Sequence, residues 1–100
     1  MPMIIIEFEV ENLDSAMQVM ENNTYTLERL ARDAQGHGAT HHMFYTNGQT
    51  VFAIDEWDSE VAFHEFFDSN PEVQALMAQS HVRKKPTTTV LMPIKVAGTF

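Results

Sequence analysis

The chain of 100 residues contains no cysteine, only four glycines and four prolines, and only six basic residues against fourteen acidic ones. The lack of cysteine excludes disulfides, thiolate catalysis and cysteine metal ligands. The net charge of −8 argues against nucleic acid and anionic membranes as partners, because both repel a negative surface. No apolar run is long enough to span a membrane, and the beginning of the chain lacks a basic signal segment. We therefore expect a cytoplasmic protein.

The amino acids that are present fit a globular protein, because the apolar fraction of 44% is ordinary for that class. We expect a single domain that spans residues 1–100. Hydrophobic periodicity and turn signals locate its elements. The predicted strands cover about 3–10, 39–46, 50–57 and 87–96. The predicted helices cover about 13–35 with a kink near 22–24, then about 59–69 and 71–80.

The clearest local signal is a β-hairpin centred on Asn47-Gly48, the dipeptide that a two-residue type I′ turn favours. Residues with high strand propensity flank it on both sides. A two-residue turn would place His42 opposite Ala53 and Thr40 opposite Asp55 in the paired strands.

Alternation along the two strands assigns their side chains to two faces. One face carries Thr40, His42, Phe44, Val51, Ala53, Asp55 and Trp57. The other face carries Ala39, His41, Met43, Tyr45, Phe52, Ile54 and Glu56. Both faces are largely apolar, so both need a cover. A β-bulge in either strand would exchange His41 and His42 between the faces.

The element order β-α-β-β-α-β predicts an α+β, ferredoxin-like fold. Right-handed crossovers place the helices on one face of a four-stranded antiparallel sheet and leave the other face open. Pro93 lacks a donor N–H, which places the last strand at an edge of the sheet. The open face would carry Met3, Ile5, Met43, Tyr45, Phe52, Ile54 and Leu91. An apolar face of this size predicts a homodimer in which a second copy covers it.

The segment from the third strand into the following helices resembles the antibiotic-biosynthesis monooxygenase family of dimeric α/β barrels. Its most specific parts are VFAIDEWDSE at 51–60, Phe63, and FDSNPEV at 67–73. In that family an acidic residue stands close before a tryptophan, and an acidic cap and a proline restart of the helix follow. The resemblance covers about residues 4–96 and identifies Trp57 with the family tryptophan that lines a pocket between helices and sheet.

The family that this sequence resembles includes cofactor-free oxygenases of aromatic polyketides, haem-degrading proteins and many proteins of unknown activity. Family members often carry a histidine where Phe66 stands, and the cofactor-free branch often carries an asparagine where Ala53 stands. The haem-degrading branch needs an asparagine on the first strand, which has none here, and a ligand histidine near the position of Met77. The resemblance thus favours an oxygenase without cofactor over haem degradation.

Three polar or amphipathic side chains on one hairpin face are candidate catalytic residues. His42 is a candidate general base because the free imidazole pKa lies near 6.5. Asp55 is a candidate for orienting that ring, and Trp57 is a candidate wall for a flat ligand. A histidine at a rim, a solvated strand-end charge and a core tryptophan are the alternative interpretations. Predicted substrate-binding residues are Phe8, Met17, Phe44, Phe63, Phe66 and Met77.

No arginine belongs to this predicted pocket, so it suits a small hydrophobic or aromatic ligand better than a carboxylate or phosphate. The five histidines show no metal-binding spacing, and adjacent His41 and His42 point to opposite faces of a strand. We therefore expect no metal and no cofactor. The sequence leaves two functions open: a cofactor-independent monooxygenase, and a non-catalytic dimeric barrel that binds a small hydrophobic ligand or only assembles with itself.

Overall fold

The computed structural model describes residues 1–100 and orders the elements as β-α-α-β-β-α-α-β. The elements are β1 (Met3–Phe8), α1 (Leu13–Asn22), α2 (Thr24–Gly36), β2 (Ala39–Thr46), β3 (Val51–Trp57), α3 (Glu60–Phe67), α4 (Pro71–Gln79) and β4 (Thr87–Leu91). The strands form an open antiparallel sheet in the order β2-β3-β1-β4. This arrangement confirms the predicted α+β, ferredoxin-like fold.

The first helical segment is broken into α1 and α2 at Asn23, close to the predicted kink. Asn12 caps α1, because its side chain accepts a hydrogen bond from the backbone N–H of Ser15 at 2.9 Å. The Asn23 side chain donates to the carbonyl of Val19 at 2.7 Å and to the side chain of Gln79 at 3.2 Å. The break is therefore fixed by polar contacts and is tied to α4. None of the helices combines the length and hydropathy that a bilayer crossing requires.

The core lies between the helices and one face of the sheet. Alternate side chains of two strands point into it: Ile4 and Ile6 of β1, and Ala53 and Trp57 of β3, are buried. Phe63 of α3 packs against them and is 1% exposed. Strand alternation thus supplies one half of the core and the helix stripes supply the other.

The opposite face of the sheet stays partly exposed in the single chain. Its central row joins Ile5 of β1 to Ile54 of β3, which in turn pairs with Met43 of β2. Met43 is 52% exposed and Tyr45 is 47% exposed. This face is the one for which the sequence predicted a second copy as cover.

The hairpin loop differs from the two-residue turn that the sequence predicted. Thr46 pairs with Val51, so four residues, 47–50, connect the strands. The Asn47 side chain accepts hydrogen bonds from the backbone N–H groups of Gln49 at 3.0 Å and Thr50 at 2.9 Å. Asn47 also keeps a negative φ, whereas a type I′ turn needs a positive φ at both central residues. The prediction was wrong because the asparagine side chain organises a wider loop.

The wider loop shifts the pairing of β2 and β3 by two residues. His42 lies opposite Asp55 and not opposite Ala53. Side chains alternate between the faces with a period of two, so this shift leaves the predicted faces of His42 and Asp55 unchanged. The shift brings the candidate base directly opposite the candidate carboxylate.

A bulge at the start of β2 overturns the predicted faces of two residues, Thr40 and Ala39, the second of which was assigned to the open face. The register shifts between Ala39 and His41, so Ala39 pairs with Trp57 and is 8% exposed. Thr40, which was predicted to face the helices, is exposed, and its hydroxyl donates to the side chain of Glu56 at 2.8 Å. The bulge inserts one residue and reverses the local alternation. It precedes His41, so the face of His42 is unaffected.

Two strands are shorter than predicted. The last strand ends at Leu91, which pairs with Met3 at the start of β1, so the partner strand ends before Pro93 is reached. As expected, β4 lies at an edge of the sheet. The first strand ends at Phe8, and Val10 forms only an isolated bridge with Val82.

Two glycines around the end of α2 give a matched test of this junction. Gly38 has φ of +114°, and a Cβ added there would lie 3.0 Å from Oδ2 of Asp58, whose backbone N–H donates to the Gly38 carbonyl. We expect Gly38→Ala to lower the free energy of unfolding by about 1–3 kcal/mol. Gly36, with no atom within 4 Å of an added Cβ, is the control, and Gly36→Ala is expected to leave stability unchanged or to raise it by up to about 1 kcal/mol.

Urea unfolding followed by circular dichroism measures both changes. Equal stability losses in the two variants would contradict the conformational role given to Gly38.

Candidate functional site

A cavity of about 130 Å³ lies between the helices and the helix-facing side of the sheet. Its only polar residues are His42 and Asp55. The apolar lining consists of Ile6, Phe8, Leu27, Leu30, Ala31, Ala34, Ala39, Phe44, Ala53, Trp57, Phe63, Phe66, Phe67, Val73 and Leu76. A concave, largely apolar space with a few convergent polar groups is typical of a small-molecule site.

Asp55 is the one charged residue in the buried core, with 6% of its surface exposed. Its Oδ1 lies 2.6 Å from Nδ1 of His42. Its Oδ2 accepts a hydrogen bond from the indole N–H of Trp57 at 3.2 Å. A buried carboxylate is costly unless its oxygens are hydrogen-bonded, and here each oxygen has a partner. One carboxylate therefore joins both other candidate catalytic residues.

The hydrogen bond to Asp55 determines which nitrogen of His42 carries the proton. An ionised carboxylate only accepts hydrogen bonds, so Nδ1 of the neutral ring must be the donor. Nε2 then keeps a free lone pair. The His42 side chain is 36% exposed, which leaves the ring at the rim of the cavity. The arrangement can accept a proton from a ligand at Nε2.

Trp57 forms part of the cavity wall and is at the same time a core residue, with 1% of its surface exposed. Its ring lies 5.7 Å from Phe63 at 72° and 5.6 Å from Phe66 at 42°. His42 meets Phe44 edge to face at 4.8 Å and 81°. Edge-to-face and tilted pairs at these distances are favourable. The Trp57 ring is therefore held in place by its contacts with Phe63 and Phe66.

The structure brings His42, Asp55 and Trp57 together, as the sequence predicted from their shared face. Of the predicted substrate-binding residues, Phe8, Phe44, Phe63 and Phe66 line the cavity. Met17 and Met77 lie outside it: Met17 is 44% exposed, and Met77 lines a smaller apolar cavity towards Ser80. The break at Asn23 explains the position of Met17, because α1 does not continue the line of α2 over the cavity.

Several cavity residues were not proposed from the sequence as ligand contacts. Besides Ile6, Ala39, Ala53 and Phe67, they are Leu27, Leu30, Ala31 and Ala34 of α2, and Val73 and Leu76 of α4. The last six follow a helical pattern. Their spacing of three and four residues marks them as an inward stripe, which is the signal that could have placed them here. The stripe alone does not tell a packed core from a cavity.

The remaining histidines lie apart from this cavity. His64 on α3 contacts both Asp68 and Glu60, and the hydrogen bond that its ring donates to Asp68 raises the pKa of His64 above its usual value. His37 packs against Phe66 with ring centres 5.5 Å apart. No three side chains of the histidine and carboxylate type form a group that could hold a metal ion.

Comparisons with known proteins give matches in structure only. No family model and no curated protein matches the sequence. A monooxygenase from the gene ActVA-Orf6 of Streptomyces coelicolor, solved in complex with nanaomycin D, has a TM-score of 0.69 at 18% identity, over 99% of this chain and 92% of that one. SnoaB, a cofactor-independent oxygenase from Streptomyces nogalater, has a TM-score of 0.63 at 11% identity, over 98% and 97%.

A dimeric ferredoxin-like protein from an uncultured marine organism has a TM-score of 0.64 at 11% identity, over 97% of this chain and 92% of that one. This chain has the fold of the antibiotic biosynthesis monooxygenases. The resemblance found in the sequence is thereby confirmed at the level of fold. At identities this low, the structural similarity shows the fold alone. The reaction has to be argued from the residues of this chain.

The Asp55 bridge generates a spectroscopic prediction within this monooxygenase fold. We expect the neutral ring of His42 to carry its proton on Nδ1 in the native protein. In Asp55→Asn the amide can donate as well as accept, so the Nε2–H tautomer should increase. Nitrogen-15 shifts of the neutral His42 ring, measured by NMR, report the tautomer directly. A native protein in which Nε2 carries the proton would contradict the role of Asp55.

Proposed function

We propose that this protein is a cofactor-independent monooxygenase that acts on an electron-rich aromatic molecule, with His42 as the general base. The observation that carries the proposal is the 2.6 Å contact between Asp55 and Nδ1 of His42 at the rim of an otherwise apolar cavity. A base oriented by a buried acid beside an aromatic wall is suited to proton abstraction from a flat substrate. The fold shared with SnoaB and with the nanaomycin D complex supports this choice of reaction.

The reaction can be written for a phenol-like substrate with an activated CH₂ group, such as an anthrone. Nε2 of His42 accepts a proton, and Asp55 stabilises the imidazolium that forms. The substrate anion gives one electron to dioxygen, and the resulting radical and superoxide combine to a peroxide anion. This anion takes the proton back from Nε2 of His42 and becomes a hydroperoxide. The hydroperoxide then loses water, so that CH₂ and O₂ become C=O and H₂O. Dioxygen is the only oxidant that this sequence of steps needs.

The apolar lining has two tasks in this reaction. Trp57, Phe63 and Phe66 hold the aromatic ring and exclude water from the anion. The cavity of about 130 Å³ is close to the roughly 150 Å³ that accommodates one benzene-sized ring. A larger substrate would place one ring in the cavity and extend past its lining.

A second candidate function is a non-catalytic barrel that binds a small hydrophobic ligand. The observation that favours it is the complete pairing of polar groups, because no buried side-chain nitrogen or oxygen atom lacks a hydrogen bond. In that function His42 and Trp57 only pack around Asp55 and provide its two hydrogen-bond partners. The same cavity would then bind without turnover.

Oxygen uptake with a panel of phenols and anthrones, in the presence of a metal chelator, tests the first function. We expect uptake by the native protein and a loss of about 100-fold or more in rate for His42→Ala, because a general base contributes about that much. Substrate affinity should stay nearly unchanged, since the imidazole adds little contact area. His41→Ala is the matched control, because His41 lies on the opposite face of the same strand and is exposed.

Equal rate losses for His41→Ala and His42→Ala would contradict the role of His42 as base. Saturable binding of these compounds without oxygen uptake would support the second function in place of the first.

We also propose that the protein forms a homodimer through the open sheet face, giving a dimeric α/β barrel. Met43, Tyr45 and Leu91 are each about half exposed on this face in the single chain. Only 13 of 100 residues are buried in the single chain, so a second copy would add substantially to the core. The dimeric ferredoxin-like protein of the same fold supports this assembly.

Ile54→Asp tests the dimer, because Ile54 lies in the central row of the open face between Ile5 and Met43. We expect monomers or aggregates, since an unpaired carboxylate in an apolar interface costs several kcal/mol. Val61→Asp is the control, as Val61 is 66% exposed in the first turn of α3, and it should remain a dimer. Size-exclusion chromatography with light scattering measures both masses. A native mass of one chain, or an unchanged dimer of Ile54→Asp, would refute this interface.

A further inference from the structure

A polar groove of about 580 Å³ lies beside the cavity and shares a wall with it. It lies between α3, α4 and the linker that leads into β4, and its lining includes His64, Asp68, Lys84 and Lys85. Phe67, the last residue of α3, lines both the groove and the cavity. A single half-buried side chain therefore belongs to the boundary of both spaces.

The groove lies where the positive charge of the chain is concentrated. Three of the six basic residues are consecutive at 83–85, in a chain of net charge −8. Arg83 and Lys84 share one partner, Glu9, at 3.8 Å and 3.3 Å. Lys85 lines the groove and forms no ion pair within the chain. The linker therefore carries more positive than negative charge.

The only carboxylate that lines the groove is already engaged. Both oxygens of Asp68 lie 3.1 Å from Nδ1 of His64, and this hydrogen bond raises the pKa of His64. Asp68 is thus engaged by His64 rather than by Lys85. The charge of Lys85 consequently remains available to a ligand anion.

The cavity itself offers no lysine or arginine that could pair with a carboxylate carried by the ligand. Its one charged residue is Asp55, which would repel a second carboxylate. A ligand that carries both an aromatic ring and an anion must therefore place the anion elsewhere. The groove is the neighbouring space that offers a free cation.

We infer that the ligand of this site is an aromatic anion, whose ring occupies the cavity and whose carboxylate or similar group lies in the groove beside Lys85. This inference rests on the proposed function insofar as the cavity is taken as the substrate site. Phe67 stacks on Phe63 with ring centres 5.1 Å apart and lies 6.4 Å from Phe8. Phe67 is the side chain on the boundary of the two spaces, so a molecule that spans both must displace its ring.

Two fluorescent probes that differ by one sulfonate separate the two halves of this site. They are 8-anilinonaphthalene-1-sulfonate, an anion, and N-phenyl-1-naphthylamine, its neutral counterpart. We expect Lys85→Gln to weaken binding of the anionic probe about three- to tenfold, as one charge near a protein surface contributes on that scale. Binding of the neutral probe should change by less than about twofold, because the ring contacts are unaffected.

Lys95→Gln is the matched control, because it removes the same charge from the exposed tail outside both the groove and the cavity. It should leave both affinities unchanged. Added sodium chloride should weaken the anionic probe and not the neutral one. Phenol, which fits the cavity, should displace the anionic probe competitively, whereas a probe held only by the groove or by the open sheet face would not be displaced.

Equal effects of Lys85→Gln on the two probes, equal effects of Lys85→Gln and Lys95→Gln on the anionic probe, or failure of phenol to displace that probe would each overturn the inference. The experiment measures binding alone, so its result is independent of oxygen uptake. Binding of the anionic probe as described, without oxygen uptake, would refute the proposed reaction and uphold the inferred ligand class.

Discussion

The arrangement of the site depends on the buried carboxylate of Asp55. It lies in β3 and contacts His42 across the strand pair and Trp57 two residues along its own strand. Loss of either partner would leave a carboxylate oxygen unpaired in a dry environment, at a cost of about 1–3 kcal/mol. The carboxylate thus fixes the ring of the candidate base and the indole of the wall relative to each other. The rest of the cavity is apolar packing around that pair.

Much of the fold follows from patterns within the chain, and the shared face of His42 and Asp55 follows from strand alternation. The predicted pairing was wrong by two residues, because Asn47 binds backbone N–H groups in a four-residue loop. The error left the faces intact, since a shift by an even number of residues preserves them. The bulge that turns Thr40 outwards has no signal in the alternation and could not be predicted from it.

The extent of the cavity was less predictable than its catalytic face. The phenylalanines of α3 and the strands follow from hydrophobic stripes, but the direction of a stripe depends on how each helix lies on the sheet. Met17 belongs to a stripe of α1, and the break at Asn23 separates that helix from the one above the cavity. The groove beside Lys85 arises only when α3, α4 and the linker to β4 come together, which no local pattern describes.

The position of Trp57 makes intrinsic tryptophan fluorescence a direct report on the cavity. It is the single tryptophan of the chain, it lies in the cavity wall, and its indole N–H is bound to Asp55. Intrinsic indole emission therefore originates from this one place and from no other part of the molecule. Water arriving at the wall, protonation of the neighbouring imidazole and stacking of a ligand ring each alter the surroundings of the same fluorophore. Occupancy of the cavity can thus be followed without a label, in the unmodified protein.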